Sequence, residues 1–132
     1  MSTVSEIADV LTALGTVGPV FDNILPATPH AAVAVIEADG AQESQGGFSV
    51  EGIKHERPKI RVVARGVPMD HDGPRTAIAR AYVELAKICS QTLGGTYYLK
   101  ATALNPPYLL GRDDLGRVSF ATLFEFEKEL SA

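Results

Sequence analysis

The chain has 132 residues, 45% of them hydrophobic and 21% charged, with a formal charge of −4 and one cysteine. That length carries a single domain with a core of its own, and the acidic balance argues against a protein that grips DNA by neutralising its phosphates. Lone Cys89 excludes an internal disulfide and a cysteine zinc cluster, and no run of about 18 apolar residues is present to span a membrane.

Met1 leads straight into a helix start rather than a basic, apolar leader, so no secretion is expected. Thr3 to Leu14 reads as a short amphipathic helix, with Ile7, Val10, Leu11 and Leu14 on one face. Thr3 and Glu6 have the spacing of a capping box, and Gly15 is placed to end the helix. Val20 to Leu25 is a short apolar run with strand character. Pro26 and Pro29 turn the chain. Ala31 to Ala38 is apolar nearly throughout, which predicts a strand covered on both faces.

Asp39 to Glu56 breaks this pattern. It is rich in Gly, Gln, Ser and Glu and longer than an ordinary connection, so it is expected to protrude as a loop. Phe48, Val50 and Ile53 are apolar within it and suggest ordering against a neighbouring subunit. Arg57-Pro58 then forces extended backbone. Lys59 to Arg65 alternates, with Ile60, Val62 and Ala64 on one face and Lys59, Arg61, Val63 and Arg65 on the other. Three cations on one strand face make a basic stripe. It reads either as a solvated face that blunts an edge strand or as a surface for acidic groups of another copy.

Asp70 or Asp72 caps the next helix and Pro74 suits its first turn. Ile78, Tyr82, Leu85 and Cys89 recur along one apolar stripe, so the helix is expected to run from 74 to 91 with Cys89 buried. Gly94-Gly95 is a turn. Thr96 to Leu104 is a strand, and Asn105-Pro106-Pro107 is expected to stop its ladder at a rigid corner. Arg112, Asp113, Asp114 and Arg117 crowd a turn, displayed to water or used in an ion network between subunits. The last strand alternates cleanly: Val118, Phe120, Thr122, Phe124 and Phe126 face one way and Ser119, Ala121, Leu123, Glu125 and Glu127 the other. Its three phenylalanines are the surface the rest of the chain must cover. The expected architecture is therefore α+β: one antiparallel or mixed sheet of about four to six strands with two helices on one face.

No catalytic set is legible. Asp70-His71-Asp72 has the residue types of an acid/base or metal site, and a small enzyme built on it is one alternative. Adjacent residues rarely converge on one ion, however, and capping explains both aspartates. His30 and His55 stand alone beside turns. Leu93-Gly94-Gly95-Thr96 lacks the lysine and following helix of a phosphate loop. Tyr97, Tyr98 and Tyr108 suit packing better than base stacking in an acidic chain. We expect no enzymatic activity, cofactor or metal.

Several motifs together resemble one phage family. They are Ala32-Val33-Ala34-Val35-Ile36-Glu37; Glu56-Arg57-Pro58 with a strand ending in Arg65-Gly66; and Leu93-Gly94-Gly95-Thr96-x-Tyr98-Leu99. Further along come Ala103-Leu104, Pro107, Leu110-Gly111-Arg112-Asp113-x-x-Gly116-Arg117, Phe120 and Phe124-Glu125. The chain is similar, over nearly its whole length, to the small "minor capsid" or tail terminator proteins of long-tailed bacteriophages.

The resemblance implies structural work in the virion, after assembly in the host cytoplasm. Copies of such a protein form a ring, commonly hexameric, that caps the tail tube and joins it to head-completion or connector proteins. DNA passes through the lumen without sequence-specific binding. A head-completion or neck connector subunit is the alternative within the virion. A ring needs one patch to meet a different patch on the next copy. The candidate interface residues are Phe48, Val50, Ile53, Lys59, Arg61, Arg65, Arg112, Asp113, Asp114 and Arg117.

Overall fold

The computed structural model describes residues 3–15, 18–38, 42–44 and 55–129. In chain order these form helix α1 (Thr3–Leu14), strands β1 (Val20–Asp22), β2 (Ala32–Glu37), β3 (Gln42–Ser44), β4 (His55–Arg57) and β5 (Lys59–Pro68), helix α2 (Asp72–Ala86), and strands β6 (Cys89–Leu93), β7 (Thr96–Arg112) and β8 (Arg117–Glu129). The result is a mixed sheet. Its main path is β1-β2-β5-β8-β4-β3, and β7 lies on β8 with β6 beyond it. The β1–β2 pair is parallel; every other pair is antiparallel.

The phenylalanine strand is the axis. β8 meets β5 on one side (Phe124 opposite Ile60) and β7 on the other (Phe124 opposite Ala103). Phe120, Phe124 and Phe126 join Val33, Val35, Ile60 and Val62 in one buried cluster, closed from above by Ile7 and Leu11 of α1 and Ile78 and Leu85 of α2. Tyr82 tilts onto Phe124 with ring centroids 5.5 Å apart, and Tyr98 meets Phe126 edge-on at 6.0 Å. Burying each such side chain is worth roughly 1.5–3 kcal/mol. The two helices thus cover one face of the sheet, as the alternation requires.

α1 has its expected bounds, and Gly15 follows at φ 72°, the left-handed position that glycine takes without strain. The capping box is not what Glu6 does. Glu6 is 1% exposed and its carboxyl group accepts two hydroxyl hydrogen bonds, from Thr96 Oγ1 at 2.7 Å and Tyr98 Oη at 2.6 Å. A buried carboxyl is tolerated only with such partners, so Glu6 ties α1 to the start of β7.

Three other expectations are corrected. The helix that begins at Asp72 ends at Ala86, not 91. Its buried face continues through Ile78, Ala81, Leu85 and then Ile88, so Cys89 falls off the stripe and opens β6 exposed. Asn105-Pro106-Pro107 does not end the strand either. β7 runs through it to Arg112, with register shifts around Asn105 and Tyr108. β6 pairs only with Thr96–Lys100, so the prolines occupy an outer edge where no ladder donor is needed. Thr122, fully buried among the phenylalanines, donates to the Asn105 carbonyl at 2.7 Å and satisfies a group that the bulge releases. Finally, β5 lies between β2 and β8, so its cations do not protect an edge.

The stretch 39–56 is not all loop. Gln42, Glu43 and Ser44 pair with Arg57, Glu56 and His55, which lengthens the β2–β5 ribbon at its far end. Phe48, Val50 and Ile53 lie outside the described residues.

Candidate functional site

A parallel pair cannot be joined by a tight turn; its connection must cross a sheet face. Residues 23–31 make that crossing between β1 and β2, and two arginines hold it. Arg65 is 7% exposed. Its Nε donates to the His30 carbonyl at 2.8 Å, and its Nη2 donates to the Pro29 and Pro26 carbonyls at 2.7 and 2.5 Å. Arg117, 8% exposed, donates from Nη1 to the Ala27 carbonyl at 2.7 Å, with His30 Nδ1 3.4 Å away. Arg65 is on the opposite side of β5 from Ala64, which belongs to the core under the helices. The crossing therefore lies over the sheet face away from the helices.

This corrects the basic stripe. Of its three cations, Arg61 is exposed, Lys59 is half-buried and Arg65 is consumed by the crossing. Burial, and then the neighbouring Arg117 charge, push the Arg65 pKa below the ordinary arginine value, while Asp113 opposes them.

The charged turn is also wired inward. Asp113 Oδ2 accepts from Arg117 Nε at 2.7 Å, and Oδ1 accepts from the backbone N–H groups of Leu115 and Arg117 at 3.0 and 2.9 Å. The turn is further closed by Gly116 N–H to the Asp113 carbonyl and by Met69 N–H to the Gly116 carbonyl, each at 3.0 Å. Arg112 and Asp114 remain exposed. Partial loss of solvent pushes the Asp113 carboxyl up. The hydrogen bonds from Arg117 and Leu115 outweigh that and hold it below the ordinary value of 3.8.

A depressed folded-state pKa contributes stability above the unfolded value and loses it as the pH falls through the folded one. Asp113→Asn is therefore expected to lower the melting temperature at neutral pH. The gap to the parent should close as both are taken below about pH 3.8. A gap that persists at the acid end would assign the effect to geometry and not to charge.

The Asp70-His71-Asp72 run lies at a helix start, but neither aspartate is the cap residue: His71 takes that position without a side-chain cap bond, and Asp72 is already the first residue of α2. Asp70 Oδ1 accepts from Gly73 N–H at 3.2 Å, and His71 meets Phe120 edge-on with centroids 6.3 Å apart. Among the described residues, no group of three or more His, Cys, Asp and Glu side chains is placed to hold a metal ion.

What the molecule does present is surface. Met69, Leu109, Leu110 and Leu115 are exposed around the closed end of the β7–β8 hairpin, and Val83 on the outer side of α2. Beside Val83 a groove of about 610 Å³ runs past Leu14, Ala79, Arg80 and Glu84. Neither feature has a sequence signature, because a lone leucine in a turn and a valine on a helix's polar side are unremarkable until their neighbours are known.

No protein-family model matches the sequence, and no curated protein matches it either. Solved structures do. One chain, from the virion of a native gene transfer agent particle, superposes with a TM-score of 0.71 at 12% identity, covering 98% of this chain and 96% of that one. A likeness at that identity shows a shared fold over nearly the whole of both chains.

Proposed function

We propose that this protein is a structural subunit of a phage-like virion and that its copies close into a tail terminator ring. The observation that carries the reading is the end-to-end likeness to a chain of a gene transfer agent virion. The motifs at 56–58, 93–99 and 110–117 support the finer assignment through their resemblance to tail terminators. In this reading the ring caps the tail tube, meets a head-completion or connector protein on its other side, and lets DNA pass. A net charge of −4 per copy suits a channel that does not retain phosphates. The role is mechanical; the titratable clusters at Asp70–Asp72 and Asp113–Arg117 serve the helix start and the turn.

The test is imaging of purified particles at secondary-structure resolution, with the chain located by its β7–β8 hairpin. Density for a closed ring of this fold at the head-proximal end of the tail tube is the expected result. Density at the portal side of the neck makes it a connector subunit instead. Absence from purified particles that are complete and infectious overturns the reading.

A further inference from the structure

We draw no further inference here: the strongest candidate, the exposed apolar patch of Met69, Leu109, Leu110 and Leu115 at the closed end of the β7–β8 hairpin, carries nothing, because nothing in the structure shows what covers it.

Discussion

Glu6→Ala is expected to destabilise the fold by about 3 kcal/mol, lowering the melting temperature by roughly 10 °C. The carboxyl group is 1% exposed and takes the hydroxyls of Thr96 and Tyr98, both buried. Removing it strands two donors away from water, each at a cost of about 1–3 kcal/mol, and leaves a small void beside α1. Glu6→Gln keeps a carbonyl acceptor for one hydroxyl and is expected to cost about half as much. The mechanism makes a sharper forecast. In a Tyr98→Phe background one stranded donor is already gone, so Glu6→Ala should cost measurably less there. Chemical denaturation of the four proteins gives the coupling. Additive effects would mean that Glu6 acts through helix capping and not through the Tyr98 hydroxyl.

Arg65→Met is the second large effect, expected at about 2–3 kcal/mol. Methionine fills much of the stem's volume, so the loss falls on the head group. That head group donates to three carbonyls of the crossing, those of Pro26, Pro29 and His30. Hydrogen bonds from a charged donor are worth about 1.5–3 kcal/mol each, but these acceptors lie at the surface and regain water when released, which holds the total down. Arg65→Lys is expected to rescue little, because a single ammonium cannot span acceptors arranged for a guanidinium fork. The local readout is hydrogen exchange. Amides of residues 23–31 should lose protection in Arg65→Met while those of β8 keep theirs. Uniform loss across the sheet would mean that Arg65 supports the core and not the crossing.

These two residues show where a linear reading stops. Glu6 has the spacing of a capping box with Thr3, and Arg65 completes a regular alternation with Lys59 and Arg61. Both patterns are present in the sequence, and neither describes what the side chain does. The same holds for the candidate interface. Arg61, Arg112 and Asp114 are exposed, whereas Arg65, Asp113 and Arg117 are spent on the chain's own crossing and turn. The groove of α2 was invisible because Ala79 and Val83 look like filler on a helix whose buried stripe lies elsewhere.

What the sequence determined by itself is what depends on near neighbours. The period-two alternation of 118–126 forces one strand with one apolar face, and the 3.6-residue spacing in 3–14 forces one helix that Gly15 can end. Together they require an α+β sandwich of helices on a sheet. What tertiary structure decided is the destination of each buried polar group, because its partner is remote along the chain. Arg65 and the His30 carbonyl are 35 residues apart in sequence, and the Glu6 carboxyl and the Tyr98 hydroxyl 92. A buried charge or hydroxyl must be paired, but no local pattern says with what; only the folded sheet brings the acceptor within reach.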